Sequence, residues 1–350
     1  MQYIHGGDIY SRRIKIDFSA NINPLGTPPE VIAAARDSMD RIGHYPDSSC
    51  RRLIHALSEY ERLSERYFIC GNGAAELIFN AVQALLPKRA LLAAPAFLEY
   101  EQALRTVGCR ISHWIAQREN GYRITEEFLT YITPETDIIF LCNPNNPTGA
   151  LLEPQLLERI IRKCRQTRTM LILDECFLDL TTEHKKRTKT QEVQNGNTNL
   201  LILKAFTKQY AMAGLRLGYA VSANGELLEK MKGIRQPWSV SIPAQEAGIA
   251  ALGQREYLRK SVELITQERK FLSDGLKQAG CQVYDGTANF LFFESRPDLW
   301  EKCLERGILI RDCSNYQGLS KGSFRIAVRG RQENLCLLQA LEEIGSNIVP

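Results

Sequence analysis

A lysine and an arginine eight residues apart, Lys208 and Arg216, flank a short segment that contains a glycine. A lysine amine can hold an aldehyde cofactor covalently as a Schiff base. Thr207, beside the lysine, and Arg216 could both bind a phosphate group of the same cofactor. We therefore interpret this segment as a cofactor anchor, the alternative being a solvated basic loop before a strand. Lys204 lacks the eight-residue spacing to Arg216 and is not expected to be the anchor.

An apolar run upstream of this segment ends in an acidic residue, Asp174. The run predicts a buried parallel strand with a carboxylate at its carboxyl end, which is the edge where open α/β sheets bind ligands. A buried carboxylate needs a partner, and a protonated pyridine nitrogen would suit Asp174 because the ion pair keeps the ring able to accept electrons. The alternative is an aspartate that caps the next turn.

A second apolar strand, predicted over 137–142, runs into a loop that contains Pro144, Pro147 and Gly149. The two prolines restrict the backbone of this loop, so that Asn146 can present its amide to a ligand at a set angle. On its own the loop would be an ordinary turn. Its position after a strand, upstream of the aspartate and the lysine, favours a role in ligand binding.

A glycine-rich turn lies nearer the N-terminus. A short strand is predicted over 67–70, followed by Gly71, Asn72 and Gly73 and then by a helix over 74–86. Backbone N–H groups at a helix start bind phosphate without a charged side chain, since the helix dipole favours an anion there. We expect this turn to form a phosphate cradle.

Together these segments resemble the fold type I enzymes that use pyridoxal phosphate, in the aspartate aminotransferase superfamily, over nearly the whole chain. The resemblance implies that Lys208 is the Schiff-base lysine, that Asp174 is the partner of the pyridine nitrogen, and that Asn146 donates to the cofactor's phenolic oxygen. It also implies that Phe97 stacks on the pyridine ring and that Tyr45 reaches across a dimer interface to the neighbouring subunit's cofactor phosphate. The remaining implied cofactor contacts are with phosphate: Gly73, Ala74, Ala75, Thr207 and Arg216.

Both ends of the chain resemble the threonine-phosphate decarboxylases of cobalamin biosynthesis, near relatives of the histidinol-phosphate aminotransferases. The resemblance is carried by His5-Gly6-Gly7 and residues 17–26, and by the segments around Arg311 and Arg325. Guanidinium groups are suited to carboxylate and phosphate, which both accept paired hydrogen bonds. The resemblance implies a substrate site made of His5, Asn23, Asn146, Arg311 and Arg325.

The implied reaction is decarboxylation of L-threonine O-3-phosphate to (R)-1-amino-2-propanol O-2-phosphate, and it needs no metal. One alternative is an aminotransferase acting on histidinol phosphate, against which the N-terminal His-Gly-Gly and Phe177 weigh. A second is a decarboxylase of L-serine O-phosphate, because a single methyl group discriminates by only roughly tenfold to a few hundredfold. A third is a ligand-binding sensor domain of a transcription regulator. That class carries an N-terminal DNA-binding extension, whereas here the large-domain pattern begins near residue 41.

The composition agrees with an enzyme that binds small anions. The chain has 350 residues, 44% of them hydrophobic, and a net charge of +4 without a basic block, so we expect no nucleic-acid partner. Ten cysteines without a CxxC pair, and five histidines, indicate free thiols in a reducing cytoplasm and no zinc site. No run of 18 apolar residues is present, so we expect no membrane partner.

The order of the predicted elements indicates an α/β protein with the pyridoxal phosphate-dependent transferase fold. A large domain with a mostly parallel sheet is predicted over 41–262, and a smaller α+β domain from 1–40 plus 263–350. The N-terminal arm is expected to pack on the C-terminal unit. The resemblance implies a homodimer. The polar stretch 181–199 is predicted to be a surface excursion, and we assign it no chemistry.

Overall fold

The computed structural model describes residues 5–345 of the chain. Strands and helices alternate through its central part. The strands are β1 (Ile16–Asp17), β2 (Phe68–Gly71), β3 (Arg89–Ala94), β4 (Arg110–Ile115), β5 (Ile138–Cys142), β6 (Met170–Asp174), β7 (Leu200–Ala205), β8 (Gly218–Ser222), β9 (Gln282–Val283), β10 (Phe290–Glu294), β11 (Ile308–Leu309), β12 (Arg311–Asp312) and β13 (Ser323–Ala327). The helices are α1 (Pro29–Asp37), α2 (Arg51–Glu61), α3 (Gly73–Leu85), α4 (Leu98–Thr106), α5 (Pro154–Thr167), α6 (His184–Arg187), α7 (Thr190–Gln194), α8 (Phe206–Gln209), α9 (Gly225–Ile234), α10 (Ile242–Leu252), α11 (Arg255–Gln278), α12 (Leu299–Glu305) and α13 (Arg331–Ile344).

Seven strands of the described chain form one large sheet in the order β2-β8-β7-β6-β5-β3-β4. Its pairings are parallel except for those of β8, which is antiparallel to both β2 and β7. Side chains of a strand alternate between the two faces of a sheet. In β6, Leu171 and Leu173 accordingly join a core with α5 and α10, whereas Ile172 joins a core with α3, α4 and α9. Helices on both faces confirm the predicted α/β class, and they explain why these strands are apolar at nearly every position.

A smaller antiparallel sheet, in the order β12-β13-β10-β9, forms from the C-terminal part of the described chain. Its own apolar core joins Phe293 of β10 to Leu272 of α11 and Leu337 of α13, and it also includes Phe18 from the N-terminal arm. Helix α11 continues from the α10 region into this core, so that one long helix links the two units.

The N-terminal arm divides between the two units. Strand β1 pairs in parallel with β11, Ile16 opposite Ile308, as expected for packing on the C-terminal part. Helix α1 instead packs against α10, where Val31 shares a core with buried alanines such as Ala247. The expectation that the whole arm packs on the C-terminal unit is therefore corrected for α1, because the small side chains of α10 allow close helix packing. The domain boundaries remain predictions.

The polar stretch after β6 is tied to the large sheet. Glu175 is fully buried and accepts hydrogen bonds from Thr188 Oγ1 at 2.6 Å and from the Lys189 backbone N–H at 2.9 Å. Helices α6 and α7 lie within this stretch. Among residues 5–345, none of the helices has both the length and the apolar composition that crossing a membrane requires.

Candidate active site

The carboxyl ends of β5, β6 and β7 border a cavity of about 250 Å³, lined by Cys142, Asp174 and Ala205. The N-terminal segment, the starts of α3 and α4, and the small sheet complete its wall. The predicted site residues that line it are His5, Ala74, Ala75, Phe97, Asn146, Asp174, Thr207, Lys208, Arg216, Arg311 and Arg325. The fold therefore brings most of the predicted site to one place from both ends and the middle of the chain.

Lys208 lies in the short helix α8, directly after β7, and lines the cavity. No residue within 5–345 forms a hydrogen bond or an ion pair with its Nζ. Burial, followed by the positive charges of Arg325 and Arg216, lowers the pKa of Lys208 from 10.5 to about 8. Near neutral pH roughly a tenth of the side chain is therefore the neutral, nucleophilic amine, far more than in an ordinary lysine.

Lys204 does not line the cavity. It is buried on β7, where its ammonium lies 3.3 Å from Asp179 Oδ1, 3.4 Å from Glu61 Oε1 and 3.8 Å from Glu175 Oε2. Burial opposes the charge, but these carboxylates outweigh it and raise the pKa of Lys204 well above its usual value. A permanently charged lysine with three acidic neighbours is a structural ion-pair centre rather than a nucleophile.

Asp174, at the end of β6, is held by two hydrogen bonds. Its Oδ2 accepts from the Tyr100 hydroxyl at 2.6 Å, and its Oδ1 accepts from the Cys176 backbone N–H at 2.9 Å. Tyr100 stacks on Phe140 and meets Phe97 edge to face. Sequence reasoning missed Tyr100, although its position three residues after Phe97, across the first turn of α4, could have pointed to it.

A corner suited to an anion lies at the start of α3, where the first N–H groups of a helix have no intrahelical partners. Gly73 has a φ of +79°, and a Cβ atom there would lie 2.6 Å from Arg216 Nη2, so the guanidinium packs directly on this backbone. A Cβ at Gly218 would lie 2.7 Å from the Ala74 nitrogen, so a second glycine lets β8 approach the helix start. Thr207 Oγ1 makes one long contact, 3.5 Å to Leu217 O, and its hydroxyl could bind a ligand in this corner.

Two arginines reach the cavity from the small sheet. Arg325 donates through Nη1 to Asn146 Oδ1 and through Nη2 to Ser19 O at 2.8 Å. Its Nε is buried and has no hydrogen-bond partner in the described chain. Arg311 donates to Asp312 O at 2.6 Å and to Asn315 Oδ1 at 2.9 Å. The contact between Asn146 and Arg325 joins the large sheet's loop to the small sheet.

Three predicted site residues do not line the cavity: Gly73, which packs on the cavity-lining Arg216, and Asn23 and Tyr45, which lie away from it. Asn23 donates to Gln209 O at 2.8 Å and to Ser261 Oγ at 2.7 Å, so its amide ties the N-terminal arm to α8 and α11. The assignment of Asn23 to the substrate site is corrected: Asn21, two residues earlier, lines the cavity, and its Oδ1 has no hydrogen-bond partner within 5–345. Tyr45 is 78% exposed and stacks on Trp238 at 4.4 Å, outside the cavity. Its predicted reach to a neighbouring subunit remains a prediction.

A carboxyl group that sequence reasoning did not single out also lines the cavity. Glu99 Oε1 lies 3.4 Å from His5 Nδ1. Burial raises the pKa of Glu99 to about 7, although the charges of Lys208 and Arg311 lower it. Burial, and then the charge of Arg311, lower the pKa of His5.

The residues present fit the cofactor that the resemblance implies. The corner at Gly73 and Arg216 suits a phosphate, and the buried Asp174 carboxylate suits a protonated ring nitrogen. Phe97 supplies an aromatic surface and Lys208 an amine of lowered pKa. The partnerless Nε of Arg325 is a further donor for an anion beside this group.

Comparisons with known proteins agree with this geometry. The family model described as aminotransferase class I and II matches residues 13–341. A threonine-phosphate decarboxylase of Salmonella typhimurium is 37% identical over 96% of this chain and 92% of its own length. A histidinol-phosphate aminotransferase of Methanosphaera stadtmanae is 29% identical over 95% of this chain and 91% of its own length. The crystal structure of a histidinol-phosphate aminotransferase from Clostridium acetobutylicum superimposes with a TM-score of 0.88 at 29% identity, covering 94% of this chain and 99% of that one.

Proposed function

This chain belongs to the class I and II aminotransferase family, whose cofactor is pyridoxal phosphate, and from that premise we propose that it is a carboxy-lyase acting on L-threonine O-3-phosphate. The proposed products are carbon dioxide and (R)-1-amino-2-propanol O-2-phosphate, a reaction of cobalamin biosynthesis. The observation that carries the proposal is the pair Arg311 and Arg325 beside Lys208. Two guanidinium groups suit a substrate that has both a carboxylate and a phosphate. The name of the Salmonella relative supports the same substrate.

Bound pyridoxal phosphate supplies an electron sink for the bond that breaks at the substrate's α-carbon. In the proposal, Lys208 would hold the cofactor at rest, and its Nζ, in the ammonium form whose pKa is about 8, would return a proton to the α-carbon after carbon dioxide has left. Tyr100 and the Cys176 N–H fix the two oxygens of the Asp174 carboxylate at the sheet edge, where it would face the cofactor's ring nitrogen. The cradle at α3, with Arg216 and Thr207, binds the cofactor's phosphate.

The arginines decide which bond breaks. If Arg325 and Arg311 orient the substrate carboxylate so that the C–C bond faces the electron sink, carbon dioxide leaves. An aminotransferase would present the C–H bond instead. Asn146, which accepts from Arg325, links this orientation to the loop after β5.

An aminotransferase acting on histidinol phosphate is the second candidate, because relatives of that name match nearly the whole chain. One experiment separates the candidates. The purified holoenzyme is incubated with L-threonine O-3-phosphate, with L-serine O-phosphate, or with histidinol phosphate plus 2-oxoglutarate, and carbon dioxide and glutamate are assayed separately. We expect carbon dioxide from L-threonine O-3-phosphate and little glutamate from histidinol phosphate plus 2-oxoglutarate. Glutamate without carbon dioxide would establish the aminotransferase.

We also propose that the enzyme is a cytoplasmic homodimer. All ten cysteines lie within the described residues and are free thiols, as expected in a reducing compartment. The stacked Tyr45 and Trp238 are both exposed, and other exposed apolar side chains occur nearby in sequence, such as Met39 and Ile42. Exposed aromatic and apolar groups of this kind are typical of a subunit interface.

A further inference from the structure

One carboxyl group in the cavity has no role in the mechanism above. Glu99 stands in the first turn of α4, two residues after Phe97, and lines the cavity. Its Oε1 faces His5 Nδ1 at 3.4 Å, whereas its Oε2 is buried and has no hydrogen-bond partner between residues 5 and 345. A buried polar atom without a partner costs free energy, which a ligand can recover by bonding to it.

Charged groups act on Glu99 from several elements. Lys208 on α8 and Arg311 on β12 favour its ionised form, whereas Asp174 on β6 and burial favour its neutral form. Burial has the largest effect, so the pKa of this carboxyl lies near 7 rather than near 4.5. The Tyr316 side chain also lines the cavity and is affected by the Glu99 charge. Glu99 therefore changes its charge in the range in which enzymes work.

An anionic ligand shifts this balance further. The proposed substrate adds a carboxylate and a phosphate to a cavity that already contains Asp174 and, in the holoenzyme, the cofactor's phosphate. Each negative charge within a few ångströms disfavours the ionised form of a carboxyl group. Once neutral, Glu99 has an O–H that can donate to an anion, whereas a carboxylate has no donor and would repel it.

We propose that Glu99 is a specificity residue that enters the substrate complex as a neutral acid, its Oε2–H donating to a phosphate oxygen of the substrate. His5, whose Nδ1 lies 3.4 Å from Oε1, orients the carboxyl group. Above neutral pH the proton on Oε2 comes from solvent, so binding takes up a proton. This inference rests on the proposed function, since it assigns the phosphate of that substrate.

The test uses the holoenzyme and (R)-1-amino-2-propanol O-2-phosphate, which has no carboxylate to lose. Calorimetry gives its Kd from pH 6 to 8.5, and a pair of buffers with different ionisation enthalpies gives the proton uptake. We expect the ratio of the wild-type Kd to that of Glu99→Gln to rise with pH, because the amide stays neutral and keeps a donor. The ratio should increase by at least about tenfold between pH 6 and 8.5. At pH 8.5 the wild type should take up more protons than the variant, by about one.

Glu101→Gln is the matched control. Glu101 stands in the same turn of α4 but pairs with Arg105 and His113 and does not line the cavity. The ratio of the wild-type Kd to the Kd of Glu101→Gln should not change with pH. The non-phosphorylated amine should show no pH-dependent ratio with either variant.

Each of three results would overturn the inference. The first is a Kd of the Glu99→Gln enzyme that depends on pH as the wild-type Kd does, and the second is an equal loss of affinity in that variant at pH 6 and at pH 8.5. The third is a wild-type enzyme that does not bind (R)-1-amino-2-propanol O-2-phosphate at pH 6. Retention of the cofactor's visible absorbance shows that each variant is folded and loaded. Failure of the proposed function would be seen separately, as the absence of carbon dioxide from L-threonine O-3-phosphate with wild-type enzyme.

Discussion

Arg311 and Arg325 are direct cross-strand partners in the antiparallel pair β12–β13, and both side chains line the cavity. Residues directly opposite one another in such a pair project from the same face of the sheet, about 5 Å apart at their Cβ atoms. Two arginines that project from one face of a sheet place positive charge on the same side of the cavity, which favours an anion there. The register of these two strands thus favours the binding of an anion near Lys208.

The arginine pair yields the first prediction. Arg325→Ala and Arg311→Ala should each lower kcat/KM for L-threonine O-3-phosphate by at least about a hundredfold, because a lost charge pair in a water-poor site costs on the order of 2–5 kcal/mol. Cofactor content should change little. Arg329→Ala is the control, since Arg329 pairs with Glu333 and does not line the cavity. Near-normal turnover in both cavity variants would contradict the assigned substrate site.

The two lysines of the anchor segment should behave differently. Lys208→Ala should abolish the visible absorbance of the lysine-bound cofactor in a folded protein. Lys204→Ala should keep that absorbance in its folded fraction but lower the free energy of unfolding by about 3–5 kcal/mol, because it leaves the buried Glu175 and the partly buried Glu61 and Asp179 without their cation. Absorbance spectra and urea unfolding measure the two effects. A borohydride-reducible cofactor bond in the Lys208 variant would refute the anchor assignment.

The lowered pKa of Lys208 predicts a pH dependence. Below about pH 8 most of the side chain is ammonium, and above it most is the amine that attacks an aldehyde. Enzyme stripped of its cofactor should therefore recapture pyridoxal phosphate faster as pH rises, by up to about tenfold per unit, and the rate should level off above pH 8. Stopped-flow absorbance gives this rate. A rate that keeps rising to pH 10 would mean an ordinary lysine.

Tyr45 predicts an effect across subunits. Sedimentation should show a dimer, and Tyr45→Phe should keep both the dimer and the stack on Trp238 while weakening cofactor affinity roughly tenfold to a hundredfold. That range corresponds to one hydrogen bond to a charged phosphate, about 1.5–3 kcal/mol. Tyr131→Phe, at another exposed tyrosine, should have no effect. A monomer that still turns over substrate would exclude the cross-subunit role.

Phe177 predicts a spectroscopic shift. It lines the cavity and packs edge-on against Phe290, with ring centroids 5.1 Å apart. A tyrosine there could donate to the cofactor's phenolic oxygen and stabilise the deprotonated form, whereas phenylalanine cannot. Phe177→Tyr should therefore lower the pKa of the long-wavelength absorbance in a pH titration. An unchanged or raised pKa would show that this side chain does not face the phenolic oxygen.

Most of the residues that were predicted to form the site line one cavity. Asp174 and Asn146 were recognisable because they follow apolar strands, and parallel strands bring their carboxyl ends to one edge. Gly73 was recognisable because a glycine turn precedes a helix, and its φ of +79° explains the residue type. These features depend on a few neighbouring residues, which is why the sequence alone could indicate them.

Side-chain direction could not be predicted in the same way. Asn21 and Asn23 stand two residues apart in the same segment, yet Asn21 lines the cavity and Asn23 bonds to Gln209 and Ser261. The distinction depends on how the N-terminal arm lies across α8 and α11. Glu99 was missed for a related reason, since an acidic residue in the first turn of a helix is ordinary until burial raises its pKa.

By itself the sequence indicated the alternation of strands and helices, Lys208 as the candidate anchor lysine, and the residues that could bind a phosphate. Each of these follows from local periodicity and spacing. The tertiary structure alone decided which side chains share the cavity. It brought β12 and β13 into the register that pairs Arg311 with Arg325, and it placed His5 beside Glu99. It also set the charge of Lys208, because desolvation and nearby charges depend on the packing of distant segments and not on the neighbours along the chain.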